Sequence, residues 1–352
     1  MNSERGPIRL GIVGTGGIGR LHATLASKLP AIDLVAISDL DDSARSFADS
    51  VGAQLCRDYR ELGGCELDAV VVAAPNRLHL EVGAFCAEAG MHLLVEKPIA
   101  ESVEAGHKLC QAADDAGVHL LVGHHRRYQN LVRTAQRFVQ ERIGKLVATS
   151  TLVTMRKPDS YYEIEWRRSE GAGPLLVNLI HEVDLLRAVC GEIVSVQAMS
   201  AKIGRDFAFD DSAVMTLRYE SGALGTLTLT ESTPSPWSWE ASVSDGMGFY
   251  NAGQDHMKLI GTEASLSFPS LTAWTYASND PDPGWESPLT AAPIPVERNN
   301  PYVEQLEHLA DVVHGAARPA VTGWDALRSL SVVDAVIEAA ATGTVVEVDP
   351  LS

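Results

Sequence analysis

Ile8-Arg9-Leu10-Gly11-Ile12-Val13 runs directly into Gly14-Thr15-Gly16-Gly17-Ile18-Gly19. The first stretch reads as a buried strand and Gly17 to Leu29 as a helix. The glycines therefore fill a strand-to-helix turn, the context in which a G-x-G-x-x-G spacing carries chemical meaning. Gly14 permits the tight turn, Gly16 lets a pyrophosphate approach the backbone, and Gly19 lets the helix lie close on the strand. Thr15, Gly17 and Ile18 complete the loop, and the free N–H groups at the helix start face the anion.

The next apolar run, Leu34 to Ser38, ends at Asp39, 20 residues beyond Gly19. A carboxylate at that spacing accepts both hydroxyls of a ribose and repels a 2′-phosphate. Asp41 and Asp42 deepen the repulsion, and no Arg follows at once. The expected cofactor is NAD rather than NADP. The same two aspartates also suit the first turn of a helix beginning near Ser43.

Outward from this unit the alternation continues. Strands are expected at Ala69–Ala73, His92–Val95 and Val118–Val122, with helices at Ser43–Val51, Arg77–Ala89 and Ser102–Ala116. Wholly apolar strands alternating with helices mean a parallel sheet covered on both faces. After about residue 125 the texture changes to period-two runs, at Leu146–Met155, Ile193–Ile203, Ala213–Tyr219 and Leu224–Thr230, with shorter ones at Lys258–Ile260 and Ser265–Phe268. These suit a large open sheet with one wet face, mainly antiparallel. Helices are expected at Tyr128–Glu141, Pro174–Cys190, Tyr302–His314 and Trp324–Ala341, and Pro269–Pro295 reads as irregular. The expectation is an α/β chain: residues 1–124 form an N-terminal doubly wound nucleotide-binding domain, and residues 125–352 a C-terminal α+β domain.

Composition narrows the function. The 352 residues hold 28 Lys+Arg against 46 Asp+Glu, a formal charge of −18 that disfavours nucleic acid and anionic membrane surfaces as partners. No apolar run is long enough to span a bilayer, and the polar start, Met1 to Pro7, is not a signal peptide. The five cysteines show no C-x-x-C spacing and the histidines no ligand spacing, so reduced thiols and no metal are expected, in a cytoplasmic protein.

Leu93-Leu94-Val95-Glu96-Lys97-Pro98 sets a lysine at the carboxyl end of a buried strand, the edge where open α/β sheets bind ligands. There it can donate to a substrate hydroxyl and stabilise a developing alkoxide. Ala73-Ala74-Pro75-Asn76-Arg77-Leu78-His79 follows another strand end, and Ala74, Pro75, Asn76 and His79, with Glu96, are candidate cofactor contacts.

Together with Gly123-His124-His125-Arg126-Arg127-Tyr128, Gly173-Pro174 through His181-Glu182-Val183-Asp184, and Asp211 with Gly222-Ala223-Leu224-Gly225-Thr226, these segments resemble the Gfo/Idh/MocA oxidoreductases over about residues 8 to 348. The resemblance implies a Rossmann domain followed by an α/β domain whose open sheet makes an oligomer interface, as a dimer or tetramer. It implies oxidation of a secondary alcohol of a sugar, inositol or related cyclic polyol with NAD(P), or the reverse. In inositol-dehydrogenase-like members the lysine of Glu-Lys-Pro acts with an aspartate and a histidine four residues later. Lys97 and His181 match the lysine and the histidine; the aspartate position falls on Val177, with Asn178 beside it.

On a helix Asn178, His181 and Asp184 share one broad polar face. His181 is the expected general base and Lys97 the expected hydrogen-bond donor to the same substrate oxygen. Asn178, Asp184, Arg126, Tyr128 and Trp166 are the expected substrate contacts, with Tyr161, Tyr162, Arg167, Trp237 and Trp239 as softer candidates. The missing carboxylate keeps open a different cyclic substrate, a dihydrodiol or glycoside. A dinucleotide sensor without turnover is the alternative of another class, and retention of both Lys97 and His181 argues against it.

Overall fold

The computed structural model describes residues 6–169, 173–243, 248–277 and 282–351, apart from the side chain of Trp166. The chain divides into two compact units, Met1–Tyr128 with Pro301–Leu330, and Gln129–Asn300 with Ser331–Ser352.

The first unit opens with β1 (Ile8–Val13), α1 (Gly17–Ala26), β2 (Ile32–Ser38), α2 (Ala44–Val51) and β3 (Gln54–Cys56). It continues with β4 (Ala69–Val72), α3 (His79–Glu88), β5 (His92–Val95), α4 (Val103–Ala116) and β6 (Leu120–Val122). The six strands form one sheet in the order β3-β2-β1-β4-β5-β6, every pair parallel. The strand order reverses between β1 and β4, which opens a crevice at their carboxyl ends. All four side chains of β4 are fully buried, as an apolar strand covered on both faces requires.

The helix Pro301–Val313 belongs to this unit. Leu306, Leu309, Ala310 and Val312 join the core made by Ile8, Leu10, Ile12, Ile32 and Leu34. Val122 N–H donates to Val321 O at 3.2 Å. The expected division at residues 124 and 125 therefore differs from the observed one. Apolar faces of helices late in the chain complete a core begun at its start, and a linear cut has no means of expressing that.

The second unit holds α5 (Asn130–Glu141), β7 (Leu146–Thr154), α6 (Pro174–Val177) and α7 (Leu179–Cys190), followed by β8 (Ile193–Ala201), β9 (Ser212–Tyr219) and β10 (Leu224–Thr230). Then come β11 (Met257–Gly261), β12 (Ser265–Phe268), β13 (Thr272–Tyr276), β14 (Leu289–Pro293) and β15 (Val346–Glu347). They make a nine-stranded sheet, β14-β13-β12-β11-β7-β10-β9-β8-β15, in which β7 and β10 are parallel and the other neighbours antiparallel. Along β9, Ala213, Met215, Leu217 and Tyr219 are buried while Val214, Thr216 and Arg218 face outward.

Two elements differ from expectation. The stretch Pro269–Pro295 contains the β13–β14 pair, with Thr272 opposite Pro293 and Tyr276 opposite Leu289. Among the described prolines, Pro293 ends the edge strand β14, and Pro283 and Pro288 lie in the β13–β14 connection, where no ladder N–H is lost. The helix expected over Pro174–Cys190 is interrupted at Asn178, whose φ of −103° separates α6 from α7.

Candidate active site

Because all strands of the first sheet are parallel, residues that follow β1, β2, β4, β5 and β6 share one edge. Gly14 follows β1 with φ +96°, a conformation that L side chains rarely adopt. A Cβ on Gly19 would lie 2.0 Å from Gly14 O, so that glycine is needed for the fold itself. A Cβ on Gly16 or Gly17 would meet nothing within 4 Å. Those two positions are exposed at the start of α1 and leave room for an anion against backbone. The loop thus fits a dinucleotide pyrophosphate by shape as well as by spacing.

Asp39 closes the same site. Its Oδ2 accepts from Thr15 N–H at 2.7 Å and from the Thr15 hydroxyl at 2.6 Å, and its Oδ1 accepts from Asp41 N–H at 2.8 Å. Burial pushes the carboxyl's pKa up, but these hydrogen bonds, aided by Arg20, outweigh it and hold the group below the usual aspartate range. A cleft of about 380 Å³ next to it is lined by Gly14, Asp39, Leu40, Arg57, Tyr59 and Pro75, among others.

Arg57 is a residue that the sequence reading missed. It follows the three-residue edge strand β3, pairs with Asp42 at 2.8 Å, and lines the cleft that Asp39 lines. Its only signal was a strand too short to stand out by periodicity.

At the next strand ends the expectations separate. Pro75 is exposed and Ala74 and Asn76 are half-buried at the edge, in the 3-10 turn and the segment that precede α3. His79 corrects its expected role as a cofactor contact. It is fully buried, with Nδ1 3.0 Å from Pro98 O and Nε2 2.9 Å from Ala74 O. Burial lowers its pKa from the ordinary histidine value, and the two carbonyl contacts only partly offset that. The ring lies between the segment after β4 and the segment after β5.

Glu96 is corrected in the same way. Its carboxylate turns inward to His22 Nε2 at 2.8 Å, and Lys97 N–H donates to it at 3.3 Å. A Cβ on Gly123 would sit 2.8 Å from the Glu96 carboxyl carbon, so β6 leaves space for this group. Burial raises the Glu96 pKa, but the His22 bond, with the charge of Lys97, more than offsets it. Lys97 is half-buried at the end of β5, one residue beyond this interior anchor.

Arg126 and Tyr128, expected to touch substrate, are 4% and 1% exposed. The Tyr128 ring lies against His308 at 5.5 Å, a packing role that the position after β6 did not announce. His125 stacks on Tyr302 with ring centroids 4.5 Å apart.

In the second unit the helix carrying His181 is where expected, and His181 is half-buried. Asp184 is 1% exposed on the same helix. Trp166 has no described side chain, so that expectation lies outside the described residues. Asn178 sits at the joint between α6 and α7, with its N–H on Pro174 O and its carbonyl accepting from His181 N–H at 3.1 Å. Its side-chain Oδ1 accepts from Lys157 Nζ at 2.7 Å. The same ammonium lies 2.6 Å from Glu231 Oε2 and 4.8 Å above the Tyr161 ring. Tyr162 donates its hydroxyl to Glu231 Oε1, and burial followed by that bond pushes its pKa up.

Lys157 and Glu231 were both absent from the sequence reading. Each lies just past the end of a strand, β7 and β10, and only the parallel pairing of those strands makes them neighbours. Among the described residues no group of three or more His, Cys, Asp or Glu side chains is placed to hold a metal.

Residues 8–124 match a GFO_IDH_MocA family model described as oxidoreductase family, NAD-binding Rossmann fold. Residues 137–348 match its companion, described as oxidoreductase family, C-terminal alpha/beta domain. An inositol 2-dehydrogenase of Rubrobacter xylanophilus is 27% identical over 371 residues, covering 99% of this chain and 95% of the relative. A D-xylose 1-dehydrogenase (NADP(+)) of Haloferax volcanii is 26% identical over 343 residues, covering 96% and 99%. The solved WlbA dehydrogenase of Bordetella pertussis, in complex with NADH and UDP-GlcNAcA, superposes with a TM-score of 0.78 at 24% identity, covering 97% of this chain and 99% of that one.

Proposed function

The chain belongs to the Gfo/Idh/MocA oxidoreductase family, and on that premise we propose that it oxidises a secondary hydroxyl of a sugar, inositol or related cyclic polyol with NAD. The observation that carries this reading is Lys97 at the carboxyl end of β5, anchored through Glu96 on the sheet edge that bears the glycine loop. Gly14–Gly19, Asp39 and the Ala74-Pro75-Asn76 segment hold the dinucleotide. Bound nicotinamide supplies the hydride acceptor.

Lys97 hydrogen-bonds the substrate oxygen and stabilises negative charge as it develops. His181 takes the hydroxyl proton, a task suited to an imidazole near neutral pH. The preference for NAD rests on the Asp39 carboxylate, whose charge repels a 2′-phosphate. Arg57 in the same cleft acts in the opposite sense, but it is already paired with Asp42.

The outward face of the large sheet supports self-association. Val147, Met199, Val214, Leu224, Ile260 and Trp274 are among its exposed apolar side chains, on strands whose buried residues alternate with them. All five cysteines are free thiols, four of them buried, which supports a reducing compartment such as the cytoplasm.

The test is incubation with NAD, and separately NADP, across a panel of inositols, aldoses and other cyclic polyols, following reduced-nicotinamide absorbance. Reduction of NAD by a polyol, lost about 10²-fold or more in His181→Ala and in Lys97→Met, is the expected result. A His181→Ala enzyme with near-native turnover overturns the assignment. The pinned Asn178 beside Val177 favours a second reading, a cyclic substrate outside the inositols, and dihydrodiols and glycosides belong in the same panel.

A further inference from the structure

Asn178 is the polar residue at the joint between α6 and α7. Lysine has donors only, so the Asn178 atom that faces Lys157 Nζ at 2.7 Å is the carbonyl oxygen. That settles the orientation of an amide whose two ends otherwise look alike. With Oδ1 engaged, the Asn178 side chain has its NH₂ group left to offer, a donor where an aspartate is an acceptor.

The ammonium itself is held. Glu231 Oε2 lies 2.6 Å from it, Tyr161 presents its ring face at 4.8 Å, and Tyr162 takes the other Glu231 oxygen. Lys157 and Glu231 are 12% and 1% exposed in their side chains, so the pair is shielded from water and geometrically constrained. Backbone ties repeat the arrangement: Lys157 N–H donates to Glu231 O at 3.1 Å.

We propose that Lys157 and Glu231 are positioning residues that lock the α6–α7 joint and fix Asn178 as a hydrogen-bond donor, so that the substrate presents an acceptor oxygen to Asn178. That oxygen belongs to a carbonyl, a carboxylate, an ether or a neighbouring hydroxyl. The proposal rests on the reading that the His181 face of α7 meets the substrate.

The experiment has two arms, on the full chain. The first is hydrogen exchange by mass spectrometry over 174–190 in wild type, in Lys157→Arg and in the double variant Lys157→Met/Glu231→Gln. The double variant removes both charges and so leaves no lone buried ion. Exchange at the joint is expected to quicken about tenfold or more in the double variant and to stay near wild type in Lys157→Arg. Unchanged exchange in a folded double variant overturns the lock.

The second arm measures kcat and KM with NAD and the panel compound that wild type turns over best. Asn178→Asp and the double variant are expected to raise KM about tenfold with kcat within about threefold, and Lys157→Arg to restore KM. Unchanged KM in Asn178→Asp overturns the donor role. A wild-type enzyme inert toward the whole panel overturns the proposed function, and the lock is then decided by the exchange arm alone.

Discussion

The backbone N–H and the hydroxyl of Thr15 both donate to one carboxylate oxygen of Asp39, at 2.7 and 2.6 Å. The glycine loop and the carboxylate proposed to bind the ribose are therefore one hydrogen-bonded object. Asp39 shapes the loop as well as lining the cleft beside it. Asp39→Ala is expected to weaken NAD binding about tenfold or more and to move the NAD-over-NADP preference toward NADP by about two orders of magnitude. Titration of both dinucleotides by fluorescence checks it, and an unaltered ratio refutes the Asp39 argument.

The two ends of the glycine motif should fail differently. At Gly19 an added Cβ collides with Gly14 O, so Gly19→Ala is expected to lose about 3 kcal/mol or more of stability. At Gly16 the same Cβ meets only open space, so Gly16→Ala should keep the wild-type melting temperature and lose NAD affinity about 10²-fold. Thermal denaturation beside calorimetric titration separates the cases. Equal melting temperatures for both variants contradict the assignment.

His125 gives a pH prediction. Burial, with the charge of Arg126, pulls its pKa down from 6.5 to about 3. The unfolded chain binds this proton near pH 6.5 and the folded chain only near 3, so acid favours unfolding across that window. His125 alone should make stability fall by up to about 1.4 kcal/mol per pH unit as pH drops through it. His125→Phe keeps the stack on Tyr302 and removes the proton. Denaturant melts at several pH values should show a shallower slope for the variant, and an identical slope rejects the prediction.

The His22–Glu96 pair is an interior hydrogen-bonded pair, 2.8 Å apart and 0% and 6% exposed as residues. Removing one partner leaves a buried polar atom of the other without its bond, so His22→Ala and Glu96→Gln are each expected to cost about 1–3 kcal/mol. The double variant should cost less than the sum by about 0.5–3 kcal/mol, because the two groups touch. Denaturation of all four proteins completes the cycle, and strict additivity argues that the contact is without energetic weight.

The polar joint of the second unit shows where along-chain reading stops. Asn178 and His181 were recognisable because helical period puts residues three apart on one face. Lys157 and Glu231 were not, although they decide which atom of Asn178 is presented. They sit 74 positions apart and meet only because β7 and β10 pair in parallel. His79 and Glu96 carry the same lesson in reverse. Spacing put them at the ligand edge, while their hydrogen bonds turn them inward.

By itself the sequence determined the α/β class, the order of elements in the first sheet's half, the glycine loop with Asp39, and the strand-end and helix positions of Lys97 and His181. Each depends on local periodicity or on short spacing, which the chain carries along its own length. The tertiary structure alone decided that Pro301–Val313 completes the first core, that Arg57 shares the cleft of Asp39, and that Lys157 reaches Asn178. Those relations are fixed by strand pairing and by which buried groups must find partners across the fold, and neither is encoded in the distance between two residues along the chain.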